Sequence, residues 1–593
     1  MYRNMFSNPG SIHDFLLKNN YINKIYDALK NEDLSEVVMV TKKIIETTQE
    51  LDPLSKISKC KETSEKYREM GNKAYNSNNY QHCLMFYNQA LLHAPNKSKE
   101  FKLALSNRSA LFLKLKEYRA CIKDISTCLL SECPPEIIGK LNKRMETATK
   151  LIKSEELKTF NKSVEISINC DITSNIQVPC ASTDVTFTGS VLPKVLASKE
   201  IKVGTVVAYE KAYVSYTDPL NALFACHYCQ RQSLNLIPCN NCTVAFYCDQ
   251  ECKLQCFTEY HKYECYLMDA YKIVCPNAKL YLMIKSLLKL TTKCNSWTEL
   301  IRESQNMGLE RMKKSSIEEI FDRNSIFSVL NIKDDRPFIY GSLYNTSFIC
   351  GVLLHYMECI PSFFPTDSNL KQQAMRAVSR IMLFLCIHQV PQQSFQVVTN
   401  VTDGLSYIHQ VKNYSIYSFI GKLKTSCNPN SFLINNNSKM ILLAIRTIKS
   451  GEELTISSQQ HWLDGDLGRH SRNINSYLCS GTVCDCPISN GEGSLRCKGQ
   501  LSKSQRVFYN SLNVIEFHAK LKLSDVTEVF NYLLEIMDVL QDVPYSEEYD
   551  EIFKRFRKCI FYFEALKGNN VTLEKISFSS SGTRTGRCID HSY

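Results

Sequence analysis

Long apolar runs are missing from this chain of 593 residues. The most apolar stretch, Ile381 to Val390, is about half the length a helix needs to cross a bilayer, so no membrane span is expected. The opening Met1-Tyr2-Arg3-Asn4 is polar and lacks the apolar core of a secretory signal. No Lys/Arg block and no basic stripe interleaved with aromatics stands out, and a net charge of +11 is modest for this length. Nucleic acid is therefore not an expected partner. There is no Gly-rich phosphate loop, and no Ser/His/Asp set that sequence alone could assemble. Hydrophobic residues at 44% exclude a disordered chain, and the length implies three or more packing units.

Cysteine is plentiful, with 27 copies. Without a secretory signal, reduced thiols and zinc fit better than disulfides, and a cytoplasmic or nuclear location is expected. Between Cys226 and Cys265 the spacing is C-x2-C-x9-C-x2-C-x5-C-x3-C-x8-H-x3-C. The residues are Cys226, Cys229, Cys239, Cys242, Cys248, Cys252, His261 and Cys265. Eight soft ligands are the number two tetrahedral Zn²⁺ ions need; buried or disulfide cysteines are the alternative. The spacing resembles the MYND zinc finger, including Phe246 and Tyr247 before the fifth ligand. That resemblance implies interleaved ligands, with Cys226, Cys229, Cys248 and Cys252 on one ion. Cys239, Cys242, His261 and Cys265 would hold the other. Such closed sites fold a module and do not catalyse. Cys256 fits neither set and reads as packing.

The first 160 residues read as helical. In KYREMGNKAYNSNNYQHCLMFYNQALLHAP, Gly71, Ala74, Tyr80, Cys83, Tyr87, Ala90 and Pro95 fall at the positions of a 34-residue TPR repeat. A second copy places Ser109, Phe112, Tyr118, Cys121, Ile125 and Cys128 equivalently, and a third helix runs from about Glu136 to Leu157. A generic amphipathic helix pair is the blander reading. Repeats over about 65–157 should stack into a concave solenoid. Arg68, Asn72, Asn107, Lys140 and Arg144 match the two-carboxylate clamp of TPR domains that grip chaperone C-termini. Cations and amide donors facing one groove suit a terminal carboxylate; solvated helix-face charge is the alternative.

A Ser/Thr/Val-rich stretch from about Asn161 to Leu192 marks a boundary. Beyond it, VLASKEIKVGTVVAYEKAYVSY alternates in the β manner around a Lys-Val-Gly-Thr turn. Beside the finger this resembles the opening of a SET domain. Tyr417 to Asn430 aligns with a family run ending N-H-S-C-x-P-N, and MILLAIRTIKSGEELT keeps the G-E-E-L turn as Gly451, Glu452, Glu453 and Leu454. The whole resembles the SET and MYND domain-containing (SMYD) proteins, in the subgroup with an N-terminal TPR.

That resemblance implies methyl transfer from S-adenosylmethionine to protein lysines, a reaction governed by alignment. It also shows three departures. The close-approach G-x-G turn, a place only Gly suits, is Leu192-Pro193-Lys194; the cofactor-holding Asn-His is Lys424-Thr425; and the Tyr after G-E-E-L is Ser458. Tyr417, Asn428 and Asn430 are the residues expected to take over catalytic and cofactor roles if activity survives. A third zinc would use Cys427, Cys484 and Cys486, completed by Cys497, Cys479, Asp485 or water because this chain has Ser489 where the family pattern has its next cysteine; cysteines without metal are the alternative.

The expected architecture is α+β and multidomain. N-terminal helical TPR repeats (residues 1–160) precede a β-rich SET lobe (182–458) split by the MYND finger (226–265) and a helical insert (267–343). A post-SET segment (470–500), a TPR-like helical C-terminal domain (503–567) and a disordered tail (577–593) follow. The functional expectation is a zinc-dependent protein-interaction scaffold with weak or absent methyl transfer, in which S-adenosylmethionine is a doubtful ligand. An active protein-lysine methyltransferase is the alternative. Expected partners are proteins and peptides: chaperone C-termini at the TPR groove and Pro-rich peptides at the MYND finger.

Overall fold

The computed structural model describes residues 34–48, 59–130, 132–156, 174–189, 193–217, 222–274, 278–332, 340–389, 394–402, 408–426, 428–436, 438–457, 501–511, 523–543 and 546–567, with isolated positions 23 and 27. The post-SET segment and the tail lie outside the described residues. The fold is α+β and rich in helix.

A first helix, α1 (Leu34–Thr48), is followed by five with short connections. These are α2 (Lys61–Asn76), α3 (Tyr80–His93), α4 (Lys99–Lys114), α5 (Tyr118–Leu129) and α6 (Pro135–Glu156). Caps set the starts: Asn79 accepts from the His82 N–H and Ser98 from the Phe101 N–H, satisfying donors a helix leaves orphaned. The turns use left-handed residues, Asn78, Lys97 and Lys116. Each helix packs on the next, and α4 also touches α2 and α6, so alternate helices share one face. Gly71 is required here, because a Cβ would stand 2.4 Å from the Tyr87 ring.

The strand-rich body draws on distant parts of the chain. β1 (Val185–Thr188) pairs antiparallel with β2 (Lys194–Ala197). β3 (Val206–Lys211) and β4 (Val214–Thr217) precede the cysteine-rich segment, whose own ribbon is β5 (Ile237–Pro238) with β6 (Phe246–Tyr247). That segment ends in α7 (Gln250–Cys256), a π-helical turn at Phe257–His261, and α8 (Lys262–Val274). Then come α9 (Ala278–Lys293), short helical turns within 297–330, α10 (Tyr340–Glu358) and α11 (Ser368–Phe384). Strands resume with β7 (Ser394–Thr402), β8 (Ile408–Ile416), β9 (Lys424–Ser426), β10 (Ser431–Asn436), β11 (Lys439–Ala444) and β12 (Thr455–Ser457).

Pairing closes across the interruption. β4 pairs antiparallel with β8 through Val214↔Ile416, and β3 pairs with β11 through Tyr209↔Ile441. β9 and β12 run parallel through Thr425↔Ile456. The finger and the helices are thus excursions from one strand body. The helical excursion extends beyond the expected 343, through α11 and a π-helical turn at Leu385–Gln389. Its apolar run at Ile381 is buried helix. Among the described residues no helix is long and apolar enough to cross a membrane.

Three cores result. The largest joins the repeats, the finger and the helical excursion. A second fills the strand body around Tyr417, Phe419, Leu442 and Leu454. In the third, α12 (Lys503–Ser511), α13 (Leu523–Val539) and α14 (Glu547–Lys567) bring Phe530, Leu533, Met537 and Phe556 onto Ile434, Ile441 and Leu443 of the β10–β11–β3 sheet. α1 stands apart from the α2–α6 stack. It packs on α10 and α11, where Lys42 pairs with Glu358 at 2.7 Å and Arg376 with Glu36 at 2.7 Å.

Candidate metal centre

Two tight turns and a two-stranded ribbon place the thiols. The Cys229 N–H points at Cys226 Sγ (3.5 Å) and the Asn241 N–H at Cys239 Sγ (3.4 Å). β5 and β6 pair Pro238 with Phe246, and the Cys239 N–H donates to the Ala245 carbonyl at 2.8 Å. Asp249 caps α7 by accepting from the Cys252 N–H at 2.7 Å, which aims Cys252 back at the first turn.

The eight side chains fall into two groups. Cys226, Cys229, Cys248 and Cys252 form one, and Cys239, Cys242, His261 and Cys265 the other, with each group's ligand atoms within 4.8 Å of one another. Cys229 and Cys248 stand 3.6 Å apart, Cys239 and Cys265 4.0 Å, and Cys242 lies 3.6 Å from His261 Nε2. A tetrahedral zinc with bonds of about 2.3 Å spaces its sulfurs about 3.8 Å apart, so both groups match that ion. Within each quartet the thiols share hydrogen bonds that favour ionising one of them, Cys226 in the first and Cys239 in the second, and push their partners Cys229, Cys252 and Cys265 up in the absence of a cation. Thiolate is the metal-binding form. These residues fit zinc as a structural ion with no open position.

The π turn gives His261 its orientation, since one extra residue in a helix rotates the side chains of the next turn. His261 Nδ1 bonds Glu264 Oε2 at 2.7 Å, leaving Nε2 toward Cys242. A carboxylate on the far ring nitrogen fixes tautomer and direction. The same oxygen meets His227 Nε2 at 2.9 Å, and Tyr247 sits edge-on to both imidazoles. His227, Cys256 and His261 form a third close group. Because His261 already serves the second quartet, only two independent ligands remain there, too few to hold an ion. Cys256 is fully buried, and burial pushes its thiol up to about 12.

The centre is gripped from two sides. From the repeats, Arg108 pairs with Asp124 and donates to Asn88 Oδ1 at 2.8 Å; Asn88 donates to the Leu223 carbonyl at 2.9 Å. Asn235 of the finger returns bonds to Asp124 (2.7 Å) and the Ala120 carbonyl (2.9 Å). From α9, Lys285 and Lys289, four residues apart, donate to the Ser215 and Tyr213 carbonyls at 2.8 Å each. They face Glu264 at 3.7 Å and Glu259 at 3.0 Å. Sequence reading missed Glu264, His227, Lys285 and Lys289. The signal was two lysines in the otherwise apolar YLMIKSLLKL, since a charge on a buried face needs a partner.

The residues matched to the carboxylate clamp lie along α2, α4 and α6. Asn72 and Asn107 are joined, Asn107 Nδ2 donating to Asn72 Oδ1 at 2.7 Å, with Tyr87 Oη donating to the same oxygen at 3.0 Å. Arg144 Nη1 donates to the Ser106 carbonyl (2.8 Å) and Ser109 Oγ (2.7 Å), and burial lowers its pKa. Arg68 pairs with Glu65 at 3.2 Å, and Lys140 is exposed.

At the strand body, Lys424 and Thr425 are exposed, the ammonium 3.7 Å from Glu453. Asn430 is buried and engaged internally: Nδ2 donates to Glu452 Oε1 (3.1 Å) and the Glu453 carbonyl (2.9 Å), while Oδ1 accepts from the Thr455 N–H (2.8 Å). It clips β10 to the Gly451–Leu454 turn. Tyr417 lies wholly in the core, and burial raises its phenol pKa. Pro193 is buried and Lys194 exposed. Leu192, Cys427, Ser458, Cys484 and Cys486 lie outside the described residues.

Comparison with known proteins agrees with the metal centre: the MYND finger family matches residues 226–265. The chain is 26% identical over 239 residues to "Protein-lysine N-methyltransferase SMYD4" of Danio rerio, covering 37% of this chain and 32% of that protein. With the mouse (Mus musculus) protein of the same name it is 23% identical over 307 residues, 40% and 38% of the two chains. With the human one it is 24% identical over 265 residues, 34% and 33%. The chain thus spans about a third of the length of the curated relatives it matches.

Proposed function

We propose that this chain, which belongs with the SET and MYND domain-containing proteins, is a zinc-folded protein-interaction scaffold on a methyltransferase fold. In this reading it transfers methyl groups weakly or not at all. The observation that carries it is the exposed pair Lys424 and Thr425 beside the buried Asn430. There the chain offers an exposed ammonium and a hydroxyl, and its nearby amide is consumed in holding the Gly451–Leu454 turn. S-adenosylmethionine is cationic at sulfur, and an ammonium beside it, only partly offset by Glu453 at 3.7 Å, disfavours it. Alignment within a fraction of an ångström is what such a transfer needs.

In this reading the two quartets hold two zinc ions, the α2–α6 helices act as TPR repeats, and the chain works in the cytoplasm or nucleus. Lys140, Arg144, Arg68, Asn72 and Asn107 would grip a peptide's C-terminal carboxylate, and the finger would take Pro-rich segments. A second reading, an active protein-lysine methyltransferase, draws on the clipped Gly451–Leu454 turn and on the names of the relatives. Titration calorimetry with S-adenosylmethionine on the full chain separates the two. A bound cofactor also raises stability by about 2.7 kcal/mol at a hundredfold excess over Kd. No heat, no thermal shift and no radiolabelled methyl transfer to cell lysate are expected; robust labelling establishes the second reading.

A further inference from the structure

Glu264 touches both halves of the metal centre. Its Oε2 meets Nδ1 of His261, a ligand of the second quartet, at 2.7 Å. The same oxygen meets Nε2 of His227 at 2.9 Å, and His227 sits between Cys226 and Cys229 of the first quartet. Oε1 faces Lys285 Nζ at 3.7 Å, and that ammonium is fixed by the Ser215 carbonyl at 2.8 Å. Glu264 and Lys285 are fully buried and His261 nearly so. His227 and His261 stand 5.4 Å apart, ring to ring.

From this geometry we infer that Glu264 is a positioning residue that couples the two zinc sites, so that the finger takes up both ions in one cooperative step. The inference rests on the zinc reading of the quartets. A buried carboxylate must be hydrogen-bonded, and losing a donor is costly. With His261 Nε2 on a metal, its ring proton is confined to Nδ1, where it donates to Glu264. With the second site empty the imidazole is free to turn, and Glu264 loses a donor and its fixed place. His227, held by that same oxygen, then loses its anchor, and with it the turn that presents Cys226 and Cys229. Coupling runs equally in the other direction, because linkage is reciprocal. Lys285 balances the carboxylate from outside the finger.

The test uses the whole chain stripped of metal and titrated with Co²⁺, whose charge-transfer and d–d bands distinguish four-thiolate from three-thiolate, one-imidazole coordination. Both signatures are expected to rise together in the native chain. Glu264→Gln is expected to separate them, with the three-thiolate site weakened about 10–100-fold, the usual effect of removing such a partner. His227→Ala leaves the His261–Glu264 bond in place and is expected to separate the two transitions while weakening the three-thiolate site less than Glu264→Gln does, because only the coupling is lost. It also serves if Glu264→Gln does not fold. A native chain that binds no ion overturns the zinc reading itself. A native chain that binds two, with either variant still loading both sites in one transition, overturns the coupling.

Discussion

Arg108 and Asp124 form a two-pronged ion pair, Nε to Oδ2 at 2.7 Å and Nη2 to Oδ1 at 2.8 Å, with side chains 2% and 3% exposed. The pair lies where the helical repeats meet the finger, and Asn88 and Asn235 complete its bonding. Breaking such a pair strands a buried charge and costs about 3–5 kcal/mol. Arg108→Met should lower the denaturation midpoint accordingly, and Arg108→Met with Asp124→Leu should recover much of the loss. Equal loss in the double variant contradicts an ion-pair origin.

Metal should hold more than the finger. Replacing Cys239 or Cys248 by Ser removes one ligand from a closed site, and folding and metal binding are a single equilibrium there. Because the repeats and α9 both pack on the finger, these variants should lose solubility as whole chains. Elemental analysis should return about two zinc per native chain; a clearly lower figure contradicts the assignment.

The groove prediction rests mainly on Lys140. Arg144 already bonds Ser106 and Ser109, so its removal also loosens α4 against α6, whereas Lys140 is exposed. Lys140→Ala should weaken a peptide with an acidic C-terminus, in a salt-sensitive way, at unchanged thermal stability. Binding that ignores amidation of the peptide terminus rules out carboxylate recognition.

Installing the residues of the resembled motif should improve cofactor binding if the site is otherwise intact. Lys424→Asn with Thr425→His removes the exposed cation and supplies the amide and imidazole of the resembled motif. S-adenosylmethionine affinity measured by calorimetry should rise at least tenfold, about 1.4 kcal/mol. No gain implies that other departures, such as Pro193, already close the site.

Glu210 and Lys422 set a pH dependence. Glu210 is fully buried and accepts the N–H groups of Ser418, Phe419 and Ile420 at 2.6, 2.9 and 2.8 Å. Burial raises its carboxyl to about 7, and burial lowers buried Lys422 to about 7. A raised acid loses stability as pH climbs from the ordinary carboxylate value through about 7. A lowered lysine loses it as pH falls from the ordinary lysine value to about 7. The two slopes meet near neutrality, so denaturation midpoints should show a shallow trough there. Glu210→Gln should abolish the acid-side slope; an unchanged slope assigns it to other groups.

The two Cys/His quartets were legible in the sequence because they are a matter of residue type at fixed spacing, confined to 40 neighbouring residues. The close helix pairing over 61–93 was legible for the same reason, as Gly71 against Tyr87 illustrates. Lysines 285 and 289 stood in plain view within an apolar helix, yet nothing in the sequence named Glu264 and Glu259 as their partners. The fate of Asn430 was likewise hidden: its motif suggested a ligand contact, and the turn at Glu452 and Thr455 absorbs it. The sequence by itself determined which residues could bind metal and which helices would pair, since those depend on local spacing. Only the tertiary structure decided which buried charges meet, because burial forces each to find a partner and that partner lies on another element, up to 210 residues away for Glu210.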